Sequence, residues 1–77
     1  MERFTEREKE ILFEMSLGLS DIEIGDKLCL GLSTVKTHTN NIYTKLFLQD
    51  HPKHTKRVNA VLFYINAIRK GKNDKLA

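Results

Sequence analysis

The sequence lacks several features that would assign it to a common class of protein. Cys29 is the only cysteine among 77 residues, so no disulfide can form within the chain. No apolar run approaches the roughly 20 residues that cross a membrane, and no signal segment with a charged start and an apolar stretch is present. We therefore expect a cytoplasmic protein with no membrane partner. Because Cys29 lies between two leucines, we expect it to pack as a small core residue.

No arrangement of residues indicates catalysis or a bound cofactor. Ser33 has no histidine and aspartate partners at motif spacing, and the chain has no glycine-rich phosphate loop. His51 and His54 are three residues apart, but Pro52 interrupts any helix between them and no paired-cysteine spacing accompanies them. We expect the chain to have no enzyme activity, metal or cofactor, and this domain to bind no small-molecule ligand.

Acidic side chains are scarce in the second part of the chain. Residues 1–30 carry four basic and eight acidic side chains, whereas residues 31–77 carry nine basic and two acidic ones. A basic half joined to an acidic half suggests a polyanionic partner for one face. The alternative is a basic tail that serves solubility, because four of the nine positive charges fall within residues 69–75.

Two capping boxes predict where the first two helices begin. Thr5 is followed three residues later by Glu8, and Ser20 is followed three residues later by Glu23. In each pair the hydroxyl can accept from one free backbone amide and the carboxylate from another. Gly18 predicts the end of the first helix, because glycine adopts a left-handed cap at little cost.

The segment from Leu30 to Leu48 predicts a third helix, around which the chain is organised. Gly31 breaks the second helix and can cap this one, so the pair reads as a helix-turn-helix. On a helical wheel one side can be buried, and it consists of Val35, Thr39, Ile42 and Leu46. The opposite side consists of Lys36, Thr37, Asn40, Asn41 and Thr44.

The exposed side of this helix carries chemistry suited to DNA. Lysine can donate to guanine, asparagine can pair with adenine, and the methyl group of threonine can touch that of thymine. No acidic residue occurs between Lys27 and Asp50, whereas an ordinary solvated helix mixes glutamate with lysine. The alternative interpretation is a polar face that meets only water.

Pro52 and Gly71 predict the limits of the remaining elements. Phe47 and Leu48 are expected to continue the third helix past Leu46, and Pro52 disfavours helix at the residue before it, so this helix should end at about Asp50. Residues 53–56 are expected to form an exposed basic loop. A last helix is expected from about Lys56 to Lys70, ending near Gly71.

Taken in order and at their spacing, these pieces resemble the DNA-binding domain of the LuxR/NarL type, including the very short GerE-like regulators. The resemblance covers residues 4–48 well and residues 57–71 loosely. Each piece is weak alone, and together they are specific. The pieces are residues 4–12, residues 18–24, Leu28, residues 34–38, Asn41-Ile42 and Lys45-Leu46.

The resemblance implies an all-α fold, a four-helix bundle with a central helix-turn-helix whose third helix enters the major groove. We expect residues 1–71 to form this helix-turn-helix DNA-binding domain and residues 72–77 a disordered basic tail. The implied function is sequence-specific binding of double-stranded DNA that regulates transcription. One alternative is a promoter-reading segment of a sigma factor. Another is a helical protein-interaction module that keeps the fold and has lost DNA binding.

The resemblance also assigns roles to single residues of the third helix. It implies base contacts by Lys36, Thr37 and Asn40, and phosphate contacts by Ser33, Thr34 and Lys45. His38, at the edge of the helix, is expected to form a hydrogen bond to a phosphate. The residues themselves support this division, because a helix start such as that at Ser33 presents free amides and a dipole that favour phosphate.

Three departures from the family pattern have structural consequences. Gly25 stands where alanine is usual, and Gly31 stands where a serine cap is usual, which should weaken the third helix by a few tenths of a kcal/mol. The third departure is the connection after Leu46: the segment from Gln49 to Lys56 makes it longer than usual, and Phe47 replaces the glycine that usually follows Leu46.

The last helix is apolar on two faces, which predicts a partner for the second. One face is formed by Val58, Val61, Leu62, Ile65 and Ile68, and the other by Ala60, Phe63, Tyr64 and Ala67. The resemblance implies a homodimer through this helix, with candidate contacts at Leu62, Phe63, Ile65 and Ala67. The alternative is that Phe63 and Tyr64 cover Phe47 and Leu48 within one chain. Which face turns inward stays open at this point.

Overall fold

The computed structural model describes the backbone of residues 3–76 and the side chains of residues 3–70. In that part of the chain four α-helices follow one another: α1 (Glu6–Ser16), α2 (Asp21–Leu28), α3 (Leu32–Lys45) and α4 (Lys53–Leu76). Helix α1 packs against α3 and α4, while α2 packs chiefly against α3. The predicted all-α fold with a central helix-turn-helix, formed by α2 and α3, is confirmed.

The core lies where α1, α2, α3 and the first half of α4 meet. Its fully buried side chains are Ile11, Leu12, Ile24, Val35, Ile42 and Ala60. Each large aliphatic side chain removed from water in this way contributes about 1.5–3 kcal/mol before conformational entropy is counted. Helix α3 buries Val35, Thr39 and Ile42, as its pattern predicts, and also buries Tyr43, which the pattern did not assign.

Both predicted capping boxes form. At α1 the Glu8 amide donates to Thr5 Oγ1 at 3.1 Å, and the Thr5 amide donates to Glu8 Oε1 at 2.9 Å. At α2 the corresponding bonds between Ser20 and Glu23 measure 3.2 and 2.8 Å. Gly31 occupies the cap of α3 without a side-chain hydrogen bond, as predicted for a residue that has no side chain to offer.

Left-handed residues follow the first three helices. Gly18, Cys29 and Phe47 have φ values of 88°, 60° and 59°. After α3 the Leu48 amide donates to the Tyr43 carbonyl at 2.8 Å and the Phe47 amide to that of Thr44 at 3.1 Å, which is the Schellman pattern. Helix α3 therefore ends at Lys45, and the prediction that it extends to about Asp50 is wrong.

The turn between α2 and α3 explains both Cys29 and Gly25. Cys29 ends α2 in a left-handed conformation and is exposed, so the prediction of a core cysteine is wrong. The Leu30 amide donates to the Gly25 carbonyl at 2.8 Å, which folds the turn back onto the helix. A Cβ atom on Gly25 would lie 2.6 Å from the Leu30 carbonyl oxygen. Glycine is thus required here by the turn, and alanine would force the backbone to shift.

Helix α4 is longer at both ends than the sequence predicts. The Lys56 amide donates to the Pro52 carbonyl at 2.9 Å, so Pro52 starts α4 and residues 53–56 form its first turn. The predicted basic loop over those residues is wrong, because a proline that stops one helix can also precede the next. The helix also continues past Gly71 to Leu76. The residues that follow Gly71 in the sequence are Lys72, Asn73 and Asp74, which offer no apolar side chain for the contact that often accompanies a glycine cap.

The side chains of residues 71–77 lie outside those that the structure describes. The predicted division at residue 71, with a disordered basic tail over residues 72–77, therefore stays a prediction.

Candidate nucleic-acid interface

Helix α3 turns its acid-free polar face outward. Lys36, Thr37 and Asn40, the predicted base contacts, are all exposed. Asn41 and Thr44 on the same face are exposed as well. The opposite side of the helix is held in the core, so this face has a fixed orientation relative to the rest of the domain.

Two threonines of α3 have their hydroxyl groups occupied within the helix. Thr39 is buried, and its hydroxyl donates to the Lys36 carbonyl at 3.0 Å. Thr37 is exposed, and its hydroxyl donates to the Ser33 carbonyl at 3.0 Å. With its proton used in this way, Thr37 can offer a methyl group and an oxygen acceptor to a partner.

The predicted phosphate contacts are spread along α3. Ser33 and Thr34 are exposed in its first turn, where backbone amides have no partner within the helix. His38 is half-buried one turn further on. Lys45 is at the far end of the helix and has a partner inside the protein.

The partner of Lys45 is the buried carboxylate of Glu8. Lys45 Nζ lies 2.6 Å from Glu8 Oε1, and it also lies 5.7 Å from the centroid of the Phe4 ring. Burial acts to raise the pKa of Glu8, but the hydrogen bonds from Lys45 and from the Thr5 amide outweigh it and hold this pKa below its ordinary value. The pair therefore fastens the end of α3 to the start of α1.

Arg57 forms a second ion pair, which joins α4 to the start of α2. Its Nη1 donates to Asp21 Oδ1 at 2.8 Å, and its Nη2 donates to the Leu19 carbonyl. Burial raises the pKa of the neighbouring Tyr43. The sequence did not predict this pairing, because 36 residues separate Arg57 from Asp21 and no local pattern links them.

Lys36 and Asn40 line one polar cleft together with the first turn of α4. The cleft has a volume of about 250 Å³, and Asp21 and Tyr43 also line it. Residue types that donate to bases and to phosphates thus share one continuous surface. In the described part of the chain, no helix is both long and apolar enough to cross a membrane. Among the same residues, histidine, cysteine, aspartate and glutamate form no group of three that could hold a metal ion.

The inward face of α4 lies between the two faces that the sequence offers. Ala60 is fully buried, and Val61 and Tyr64 pack against the core. Phe63 meets Phe4, with ring centroids 5.9 Å apart and planes at 55°. Leu48 is partly buried against the core, but Phe47 is 77% exposed, so the predicted alternative of a covered Phe47 is wrong.

A row of apolar side chains on α4 faces away from the core. Val58 is 42% exposed and Leu62 is 51% exposed. Ile65, one turn after Leu62 on the same side, is half-buried, as is Ala67. Of the four predicted dimer residues, the structure thus leaves Leu62 most accessible and gives Phe63 a contact within the chain.

The helix-turn-helix fold and the exposed, acid-free face of α3 place the chain in the class of helix-turn-helix DNA-binding domains. The family model described as "Bacterial regulatory proteins, luxR family" matches residues 2–64, and the chain belongs to this family. The predicted resemblance is confirmed. The match supports DNA-binding transcription regulation, and it favours neither the sigma-factor segment nor the protein-interaction module.

Three relatives are named as transcriptional regulatory or response regulator proteins. The uncharacterized transcriptional regulatory protein YxjL of Bacillus subtilis is 44% identical over 70 residues, which are 91% of this chain and 28% of YxjL. The transcriptional regulatory protein LnrK of Bacillus subtilis is 48% identical over 46 residues, 60% of this chain and 21% of LnrK. The response regulator protein VraR of Staphylococcus aureus is 42% identical over 62 residues, 80% of this chain and 27% of VraR.

The chain spans about a quarter of the length of these relatives, since the matched shares are 28%, 21% and 27%. No solved structure gives a significant match.

Proposed function

We propose that this chain binds double-stranded DNA sequence-specifically, with α3 in the major groove, and that this binding regulates transcription. The observation that carries the proposal is the exposed, acid-free face of α3, on which Lys36 and Asn40 stand one turn apart. Because the family is bacterial and DNA is the proposed partner, the proposal also places the protein in the cytoplasm. The proposal requires neither an enzyme activity nor a cofactor.

The residues of α3 have distinct roles in this proposal. Lys36 donates to guanine acceptors, Asn40 pairs with adenine, and the methyl group of Thr37 meets thymine. Ser33 and Thr34 offer hydroxyl groups and first-turn amides to a phosphate, with His38 at the edge of the contact. Lys45 keeps donors beyond its bond to Glu8, so a phosphate contact there would add to its internal role.

We further propose that two copies pair through the outward row of α4. Leu62 and Ile65 are the central contacts, with Val58 added by its exposure. An exposed apolar row on a helix whose other side is buried gains free energy by burial against a second copy. A symmetric pair would present two α3 helices to adjacent major grooves, as two-half-site binding requires.

Replacement of Lys36 tests the base contact. DNA sites are first selected from a random pool with the parent, and the ratio of dissociation constants for scrambled and selected DNA is measured. For Lys36→Ala we expect this ratio to fall by roughly 1–3 kcal/mol, or about 5- to 150-fold, because a bidentate base contact is lost. Lys70→Ala removes the same charge from the far part of α4 and should leave the ratio unchanged. If Lys36→Ala weakens both DNAs equally, Lys36 contacts phosphate and the assignment fails.

A further inference from the structure

We propose that Lys53 and Lys56, in the first turn of α4, bind the DNA phosphates that flank the groove occupied by α3. The proposal rests on the proposed function and extends its interface from one helix to two. It gives a role to the segment that is longer here than the family pattern implies. The second half of that segment, residues 53–56, forms the basic first turn of α4.

The two lysines form one wall of the cleft that α3 lines. Lys36 and Asn40 stand on the α3 side of the cleft, and Lys53 and Lys56 stand on the α4 side. Base-reading candidates and phosphate-binding candidates therefore face the same space. A partner that entered this cleft would meet both walls at once.

The three lysines that line this cleft form no ion pair within the described part of the chain. Five other basic residues pair with carboxylates, at Arg7–Glu10, Lys9–Glu6, Lys27–Glu14, Lys45–Glu8 and Arg57–Asp21. Among the side chains that the structure describes, no carboxylate lies within 4.0 Å of the ammonium groups of Lys36, Lys53 or Lys56. Asp21 is the acid that lines the cleft, and Arg57 Nη1 engages it at 2.8 Å.

Lys56 is also held in place before any partner arrives. Its Nζ lies 5.8 Å from the centroid of the Tyr43 ring, and Tyr43 is itself buried in the core. A cation over an aromatic face is attracted by the ring quadrupole, and its side chain loses less rotamer freedom on binding. This contact makes Lys56 a pre-oriented donor, whereas Lys53 is exposed.

The dimensions of DNA place the α4 side of this cleft next to the phosphates. The major groove is about 12 Å wide, and an α-helix with its side chains is about 10–12 Å across. A helix that enters the groove fills its width, so protein at the side of that helix meets the sugar-phosphate wall and not base edges. With Lys36 and Asn40 in the groove, the α4 wall of the cleft stands at that position.

The salt dependence of binding tests the proposal. Affinity for the selected site is measured between about 50 and 200 mM salt for the parent, Lys53→Gln, Lys56→Gln and the double variant. Each phosphate contact contributes about 0.9 to the slope of log affinity against log salt, so the double variant should lose about 1.8. Over that range the affinity of the parent should fall about twelve-fold more than that of the double variant.

The double variant Arg69→Gln and Lys70→Gln is the matched control. It removes the same charge from the same helix at exposed positions further along α4. We expect the control to keep the slope of the parent, and all variants to keep its helicity and its ratio between selected and scrambled DNA. An equal loss of slope in the control would show a diffuse charge effect and overturn the proposal. An unchanged slope in the Lys53 and Lys56 variants would overturn it too. A parent that binds no DNA would instead refute the proposed function.

Discussion

Phe47 occupies a backbone position that glycine fills elsewhere in the same protein. Gly18 after α1 and Phe47 after α3 both take left-handed φ values, 88° and 59°, and both precede an amide that closes a Schellman motif. A side chain with a Cβ atom pays roughly 1–2 kcal/mol in this conformation, which glycine does not. Phe47 recovers little of that cost, since it is 77% exposed and its described partner is Arg3, 5.9 Å from the ring centroid.

We therefore expect Phe47→Gly to stabilise the domain. The free energy of unfolding should rise by about 1 kcal/mol, and the midpoint of thermal unfolding by about 4–8 °C. Phe47→Ala is the control, because alanine removes the ring and keeps the Cβ atom that causes the strain. Urea unfolding of the three proteins measures the difference. If Phe47→Gly is no more stable than Phe47→Ala, the Cβ atom costs nothing in this conformation and the explanation from strain is wrong. The difference between Phe47→Ala and the parent measures what the ring contributes.

At the scale of the element, the sequence predicted helix starts better than helix ends. Thr5 with Glu8 and Ser20 with Glu23 mark their helices locally, because a capping box lies within four residues. The end of α3 was missed because a phenylalanine seldom takes the left-handed conformation. The start of α4 was missed because Pro52 was taken only as a stop.

The candidate interface shows the same contrast between local and distant information. The exposed face of α3 could be predicted, because a helical wheel needs only the residues of that helix. The partner of Lys45 could not be predicted, since Glu8 is 37 residues away. The ion pair of Arg57 with Asp21 could not be predicted for the same reason. The same holds for the cleft between α3 and α4.

The pair between Glu8 and Lys45 should govern the acid sensitivity of the α1–α3 contact. The pKa of Glu8 in the folded state lies below its ordinary value of 4.5. The unfolded chain therefore takes up this proton first, and the stabilisation is complete above pH 4.5 and is lost as the pH falls through the folded pKa. Glu8→Gln should flatten the decline in the free energy of unfolding below that pH, as measured by urea unfolding at a series of pH values.

Removal of Lys45 should be costly because it leaves a buried carboxylate without its cation. Glu8 is 4% exposed in its side chain and Lys45 is 31% exposed, so Lys45→Met should cost about 2–3 kcal/mol, less than a fully buried pair. Lys9→Met is the control, because its partner Glu6 is 88% exposed, and it should cost less than about 1 kcal/mol. The double variant Glu8→Gln with Lys45→Met should recover part of the loss. Equal effects at Lys45 and Lys9 would contradict this account.

At the scale of the whole molecule, the two ion pairs and the proposed dimer contact along α4 together determine how the exposed face of α3 is presented. Glu8 with Lys45 fixes the end of α3, and Arg57 with Asp21 fixes α4 against α2. The apolar row of α4 lies on a helix that contacts both α1 and α3. A partner bound along that row would therefore be held in a fixed relation to the exposed face of α3, so that two copies could bind two half-sites with a defined spacing.

Glutamate at Leu62 tests this arrangement, because it places a charge at the centre of the apolar row while α4 keeps its buried face. We expect Leu62→Glu to keep the helicity of the parent, to be monomeric in light scattering where the parent is dimeric, and to bind a two-half-site DNA at least about 100-fold more weakly. Its affinity for a single half-site should not change, because α3 is untouched. Leu17→Glu is the matched control, since Leu17 is 55% exposed and Leu62 is 51% exposed, and Leu17 lies outside α4. A parent that stays monomeric at high concentration, both free and on two-half-site DNA, would refute the dimer, and so would an equal loss of affinity in both variants.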